Sequence, residues 1–238
     1  MPSPSRLFLL TGAGVSAESG VATFRGAGGL WEGHRIEEVA SPEGFAANPT
    51  LVQRFYNERR RHLPTVSPNP AHLAIARLQR EFPGRVTLVT QNVDDLHERG
   101  GSPEVIHLHG ELLKARCVFC KRVRDWSGDL DEETRCGDCG GQLRPHIVWF
   151  GEMPLALDAI FEALGACDLF AAIGTSGQVY PAAGFVEMAR RHGARCLEFN
   201  LESTATSPHF DESRTGPASL TVPSWVGEML ECQDSGEA

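Results

Sequence analysis

Six short stretches carry residue types at spacings that could do chemistry. Cys117-x-x-Cys120 and Cys136-x-x-Cys139, with fifteen residues between the pairs, each present two thiols from one tight turn, and two such turns can close a tetrahedron around zinc. Four thiolates leave no open coordination position, so one structural Zn2+ is expected, holding a polar segment together and taking no part in a reaction. A redox pair would open a helix after a strand, which two pairs inside a polar stretch do not match. Leu7-Phe8-Leu9-Leu10 runs into Thr11-Gly12-Ala13-Gly14-Val15-Ser16-Ala17, where Gly12, Gly14 and Ala17 fit G-x-G-x-x-G/A. Glycines there let backbone N–H groups approach a pyrophosphate at a helix start, or simply make a tight turn. His107-Leu108-His109-Gly110 offers two imidazoles, whose ordinary pKa near 6.5 suits a general base; a histidine equally serves core hydrogen bonds. Thr90-Gln91-Asn92-Val93-Asp94-Asp95 follows a strand, where such residues orient a ligand or cap a helix. Tyr56 and Arg59 are three apart in a helical stretch, so a phenol and a guanidinium share one face and can converge on an anion. The alternative there is an amphipathic helix with Arg59, Arg60 and Arg61 in solvent.

These groups need a scaffold, and the composition supplies one. The 238-residue chain is 41% hydrophobic and 22% charged, ordinary for a globular protein that buries about seventy per cent or more of its unfolded surface. The seven cysteines are odd in number, and Cys167, Cys196 and Cys232 fall outside the pairs; Cys167 and Cys196, beside strand starts, read as small buried hydrophobes. No apolar run approaches the roughly eighteen residues of a membrane span, and no signal-peptide pattern precedes the first strand, so no membrane partner and a cytoplasmic location are expected. A net charge of -9 argues against broad phosphate-backbone binding. The basic cluster of Lys114, Arg116, Lys121, Arg122 and Arg124 is followed at once by Asp125, Asp129, Asp131, Glu132 and Glu133, a mixed solvated face, and no specific nucleic-acid partner is expected.

Helix starts are expected at Ser41-Pro42, Asn48-Pro49 and Asn69-Pro70 from cap and first-turn preferences. Apolar stripes continue two of them, Leu51, Val52 and Phe55 in one and Ile75, Leu78 and Phe82 in the other. Strands are expected at Val86 to Val89, Leu169 to Ile173 and Arg195 to Phe199, with helices around Leu157 to Leu164 and Ala182 to Ala189. Alternation from Val105 to His109 places His107 and His109 on one face, and the chain is expected to end in a strand, Ser219 to Val222, and a helix, Val226 to Leu230. Val21 to Gly33, rich in glycine and holding Phe24, Arg25 and Trp31, reads as a mobile loop. Strands alternating with helices imply an α/β fold with a parallel sheet and ligands at the strands' carboxyl ends, where Gly12, Gln91, Gly174 and Asn200 fall. The stretch from Lys114 to Arg144 reads as an insert. A dehydrogenase carries an acidic residue at a second strand end about twenty positions past the glycine turn; the nearest candidate, Glu32, lies in a glycine-rich run instead.

Taken in order, Gly12 to Gly20, Thr23-Phe24-Arg25, Thr90 to Asp94, His107 to Gly110, the paired cysteines, Arg144-Pro145-His146-Ile147-Val148-Trp149-Phe150-Gly151-Glu152, Gly174-Thr175-Ser176 and Asn200-Leu201-Glu202 resemble the sirtuins over nearly the whole chain. The resemblance implies an NAD-dependent protein-lysine deacylase with a Rossmann-like large domain, approximately 1–24, 69–110 and 148–238. It also implies a smaller domain made of a helical insert, approximately 25–68, and a zinc-binding insert, approximately 111–147, with the substrate lysine in the cleft between. NAD would be consumed as co-substrate, giving nicotinamide, free lysine and O-acyl-ADP-ribose. By the same resemblance His109 is the general base and Asn92 a second catalytic residue. Cofactor contacts are implied at Gly12, Ala13, Gly14, Ser16, Ala17, Glu18, Thr23, Phe24, Arg25, Trp31, Gln91, Asn92, Val93, Asp94, His109, Gly174, Thr175, Ser176, Asn200, Leu201, Glu202 and Ala218. The segment from Asn200 to Glu202 would meet the adenosine ribose in place of the missing acidic residue. Tyr56 and Arg59 resemble the pair with which some sirtuins hold the carboxylate of succinyl and malonyl groups, while Ala17 leaves room for the longer chain without excluding acetyl. Acylated-lysine proteins are the implied partners, met by a monomer. Two other classes remain open from the residues alone, an NAD-dependent oxidoreductase that spares its cofactor and a non-catalytic zinc-ribbon module that binds nucleic acid.

Overall fold

Leu7, Phe8, Leu9 and Leu10 are all buried, and only Arg6 of the strand Arg6–Thr11 is exposed. Such an uninterrupted apolar run belongs to a parallel strand covered on both faces. The computed structural model describes residues 4–22, 30, 31 and 33–234, so Thr23, Phe24, Arg25 and Glu32, and with them most of the expected loop, lie outside the described residues, as does the side chain of Cys232.

The strand sits inside a six-stranded sheet in the order Glu212–Thr215, Arg195–Asn200, Leu169–Ile173, Arg6–Thr11, Arg85–Thr90, Ile106–His107. Every pairing is parallel. Numbered along the chain this is the 3-2-1-4-5-6 order of a Rossmann-like sheet, which reverses between Arg6–Thr11 and Leu169–Ile173. Thr11 pairs with Ile173 in register, so the two following loops leave the sheet side by side at the crevice where such folds take ligands. Successive side chains point to opposite faces. Leu7 and Leu9 therefore meet Ile75 and Leu78 of the helix Pro70–Glu81 and Trp225 of the helix Ala218–Asp234, whereas Phe8 and Leu10 meet Ile160, Leu164 and Phe185 on the other side.

The helix starts follow the caps. Ser41, Asn48 and Asn69 accept from the backbone N–H of Gly44, Leu51 and Ala71, and each precedes a proline whose missing N–H costs nothing in a first turn. The helix Pro49–His62 brings Val52, Phe55 and Tyr56 to a core completed by Leu112, Ile147 and Trp149. The insert is a three-stranded antiparallel sheet, with Gly110–Cys117 between Val123–Asp125 and Leu143–Ile147. Gly110 has φ +84°, and a side chain there would meet the His146 carbonyl, so only glycine allows the two strands to close.

The C-terminal expectation is corrected. Ser219 to Val222 belong to one helix, Ala218–Asp234, and the last strand is the polar Glu212–Thr215. Four alternating residues are a weak signal, and burial of Val222, Trp225 and Val226 against the sheet overrides it. Glu18 fixes the helix start, its carboxylate accepting from Ser219 N and Oγ at 3.0 and 2.7 Å. The strand from Glu212 escapes periodicity because it lies at the sheet edge with one flank in water. None of the described helices is long and apolar enough to cross a membrane.

Candidate functional site at the sheet reversal

The glycines of the first turn have a different task from the one their pattern indicates. Gly12 N donates to Ile173 O at 3.0 Å and Gly14 N to Gly174 O at 2.8 Å, so neither N–H is available to a pyrophosphate. A Cβ on Gly12 would lie 2.8 Å from Gly174 O, and one on Gly14 2.7 Å from Gly174 Cα. These residues let two loops of the sheet reversal touch. The helix that follows, Ala13–Ser16, has four residues and offers little macrodipole.

Above the reversal lies a cavity of about 1130 Å³. It is lined by Gly12, Ala13, Gly14, Ala17, Glu18, Trp31, Gln91, Asn92, Val93, Asp94, His109, Gly174, Thr175, Ser176, Asn200, Leu201, Glu202 and Ala218, and by Tyr56 and Arg59. Of the described residues expected at a cofactor or acyl site, only Ser16 is not on the wall, and it lies directly beneath it. Residues that sequence reasoning did not assign to the site also line it, among them His62, Trp149, Val179 and Tyr180. Trp149 had a signal, its place in the run Arg144 to Glu152 that carries part of the resemblance; Val179 and Tyr180 had none beyond following the Gly174 loop.

Under the wall the hydrogen bonds fix proton positions. His72 Nδ1 accepts from Asn69 N at 3.3 Å, so the proton is on Nε2, which faces Ser16 Oγ at 3.4 Å. Ser16 Oγ also accepts from Asn92 Nδ2 at 3.0 Å, and its own proton goes to the Asp94 carboxylate. Burial pushes the Asp94 pKa up, against the bonds from Leu96 N and Ser16. From the other side Thr90 Oγ1 accepts from Asn92 N at 3.1 Å and from Thr11 Oγ1 at 2.9 Å, and Thr11 meets His97 Nε2 at 2.9 Å. Asn92 is held by both backbone and side chain. Burial pulls His72 down to about 4 and His97 well below its usual value, so both rings are neutral.

The two histidines expected on one face part company. The strand stops at His107, and only His109 lines the large cavity. His109 Nδ1 donates to Gln91 O at 3.1 Å, leaving Nε2 as the basic nitrogen; burial lowers its pKa, opposed in part by that bond. His107 uses both nitrogens on the protein, Nδ1 on Asn92 O at 3.2 Å and Nε2 on Glu98 at 2.6 Å. Burial disfavours its charge, yet the Glu98 carboxylate more than offsets this and the pKa rises. It faces a second cavity of about 510 Å³ with Asp94, Asp95 and Glu98.

The large cavity is also lined by Tyr56 and Arg59 of the helix Pro49–His62. Tyr56 Oη accepts from Trp149 Nε1 at 3.0 Å, and burial drives the phenol pKa far up, so it stays a neutral hydroxyl. Arg59 Nη1 donates to Phe55 O at 2.6 Å, and its guanidinium lies 3.2 Å over the Phe55 ring and 4.9 Å from the Trp31 ring. Of the three arginines only Arg61 is fully exposed; Arg60 is buried, donating to Leu112 O and Asn57 Oδ1. The solvent-facing reading of that run fails because the helix is covered on two sides.

The four paired cysteines, none of which lines that cavity, converge in the antiparallel insert, with all Sγ atoms within 4.8 Å of one another. Cys117 to Cys139 is 3.5 Å and Cys120 to Cys136 is 3.8 Å. Tetrahedral zinc with bonds of about 2.3 Å needs sulfur–sulfur edges of roughly 3.8 Å, so the cluster fits a structural zinc. Phe119 N and Cys120 N both donate to Cys117 Sγ, as around a thiolate in a tight turn. Cys167 and Cys196 are buried beside the sheet.

The profile of the Sir2 family matches residues 12–181. The chain belongs to the Sir2 family. It is similar to a protein of Shigella flexneri named NAD-dependent protein deacylase, 57% identical over 230 residues, which are 95% of this chain and 84% of that one. A protein of Vibrio vulnificus with the same name is 56% identical over 228 residues, 94% of this chain and 93% of its own. Among solved structures, the complex of a Sir2 homologue with NAD superposes with a TM-score of 0.89 at 40% identity, covering 96% of this chain and 91% of that one.

Proposed function

We propose that this member of the Sir2 family is an NAD-dependent protein-lysine deacylase that removes acetyl groups and the acidic succinyl and malonyl groups. Family membership and relatives named as NAD-dependent protein deacylases support the reaction class. The acyl preference rests on one observation, that Tyr56 and Arg59 share a single cavity with Asn92 and His109.

NAD is placed in that cavity, whose lining includes Gly12, Gly14 and Gly174, where a side chain on either of the first two would run into the Gly174 backbone and part the two loops. Bound there, NAD would supply the anomeric carbon that the acyl carbonyl oxygen attacks as the bond to nicotinamide breaks, and one water would be consumed in giving free lysine and O-acyl-ADP-ribose. Gly174, Thr175 and Ser176 would hold the cofactor's far end and Asn200 to Glu202 its adenosine ribose, while Asn92 and Asp94 orient the nicotinamide end. His109 would take a proton from a ribose hydroxyl at Nε2. Its lowered pKa keeps that nitrogen unprotonated at neutral pH. Arg59 offers a charged fork and Tyr56 a neutral hydroxyl to the acyl carboxylate. In this reading the helical and zinc inserts form the smaller domain, and the acyl-lysine enters between it and the sheet.

Steady-state kinetics on matched succinyl-, malonyl- and acetyl-lysine peptides test the acyl assignment. A charge-assisted hydrogen bond is worth about 1.5–3 kcal/mol, so Arg59→Met should lower kcat/KM for the succinyl peptide by roughly ten- to over a hundredfold and for the acetyl peptide far less. Tyr56→Phe should follow the same order with a smaller loss. Equal losses on all three peptides would overturn the assignment.

A further inference from the structure

Tyr56 and Arg59 differ in what fixes them as donors. A guanidinium can only donate, whereas a phenol hydroxyl has one proton and two lone pairs and turns about its C–O bond to suit its neighbours. Its usefulness to a carboxylate therefore depends on what its neighbour demands. That neighbour is Trp149. The indole Nε1–H, which has no capacity to accept, points at Tyr56 Oη at 3.0 Å, and both side chains are buried. The Tyr56 proton must then point away from Trp149, and both residues line the large cavity.

Trp149 is itself held hard. The Arg144 guanidinium lies 3.3 Å over its ring, and Arg144 grips Glu152 with two bonds, Nη1 to Oε1 at 2.7 Å and Nη2 to Oε2 at 2.8 Å. Glu152 accepts in turn from Trp149 N at 2.9 Å and from Arg116 at 2.9 Å. The Phe45 ring packs against the indole with centroids 5.2 Å apart. The stacked guanidinium, the Phe45 ring and the burial of the indole together hold its N–H on Tyr56.

We infer that Trp149 is a specificity-determining residue for acyl groups ending in a carboxylate, because its indole N–H commits the Tyr56 hydroxyl to donate into the acyl pocket. The inference rests on the reading that Tyr56 and Arg59 hold the acyl carboxylate. An acetyl group carries no acceptor at that depth, so it gains nothing from the committed proton.

The test compares Trp149→Phe, which keeps an aromatic ring and removes the N–H, with replacement of Trp149 by benzothienylalanine, which keeps the bicyclic shape and also lacks the N–H. Each should lower the ratio of succinyl to acetyl kcat/KM by about two- to tenfold, the worth of one neutral hydrogen bond, with the change in KM rather than kcat. In a Tyr56→Phe background the further change should vanish, since the hydroxyl being directed is gone. A ratio left unmoved by benzothienylalanine, or a full loss persisting without the Tyr56 hydroxyl, would overturn the inference. Arg59→Met measured alongside separates the two levels. If it produces no succinyl-selective loss, the carboxylate reading itself falls; if it does and neither Trp149 replacement moves the ratio, only the role of Trp149 falls.

Discussion

Around the parallel sheet, two apolar clusters bury side chains as large as Phe8, Phe170, Phe185 and Trp225 against helices on both faces, whereas the cysteine end of the insert buries a small cluster of Ala115, Cys117, Leu130, Cys136 and Leu143, with Trp126 partly buried beside it. Burying one large apolar side chain contributes about 1.5–3 kcal/mol, so the sheet has many such contributions and the cysteine end of the insert few, while Leu112 and Ile147 at its other end pack with the helix Pro49–His62. The difference separates rigidity by burial from rigidity by metal. Asn92 and His109 stand on loops rooted in the sheet and can be held by buried hydrogen bonds, while the cysteine end of the insert depends on four thiolates for its shape.

Removing the metal should break this comparison most visibly, because a structural zinc contributes about 10–16 kcal/mol in small zinc-dependent units. Metal analysis should find one zinc per chain. A Cys117→Ser/Cys136→Ser variant should lose amide-exchange protection across the insert and keep it in Arg6–Thr11 and Leu169–Ile173. Retained protection in the insert of the metal-free variant would mean that its small core suffices.

A smaller effect sharpens the contrast within the sheet's own loops. Replacing His109 by Ala should cut turnover by about a hundred- to ten-thousand-fold with folding preserved, the usual worth of a general base. His107→Ala should cost much less, since both ring nitrogens of His107 already serve Asn92 O and Glu98. The reverse order of losses would reassign the base.

The smallest effect is on stability against pH. His72, His97, His109 and His146 have folded pKa values below the unfolded value near 6.5, so their contribution is present above that pH and is lost as pH falls through the folded values, about 4 for His72 and His146. His107 has the opposite sign, its raised pKa adding stability below about 6.5 that is lost as pH rises through the folded value. Four groups against one make acid the destabilising direction. Denaturant midpoints should fall between about pH 7.5 and about pH 5, with His72 alone worth on the order of 2 kcal/mol over that range. A flat profile would contradict neutral burial of these rings.

The sheet was legible in the sequence where its strands are buried on both faces, as at Leu7 to Leu10, and helix starts were legible wherever a capping side chain precedes proline. The cysteine spacing named the metal unaided. What was not legible depends on contacts remote in the chain. The N–H groups of Gly12 and Gly14 are occupied by the loop at Ile173 and Gly174, and Trp149 meets Tyr56 across 93 positions, neither of which a local period reports. His107 and His109 alternate as a strand would place them, but the sheet edge ends between them. The last helix hid behind four alternating residues, of which Val222 is buried by the sheet and by the helix Pro70–Glu81 far earlier in the chain.

The central claim is that the loops at the sheet reversal carry out acyl transfer to NAD. Mass spectrometry of the purified protein incubated with NAD and acetyl- or succinyl-lysine peptide tests it directly. Nicotinamide, deacylated peptide and O-acyl-ADP-ribose should form in equal amounts and fail to form without NAD. Deacylation that leaves NAD intact, or conversion of NAD to NADH, would contradict it.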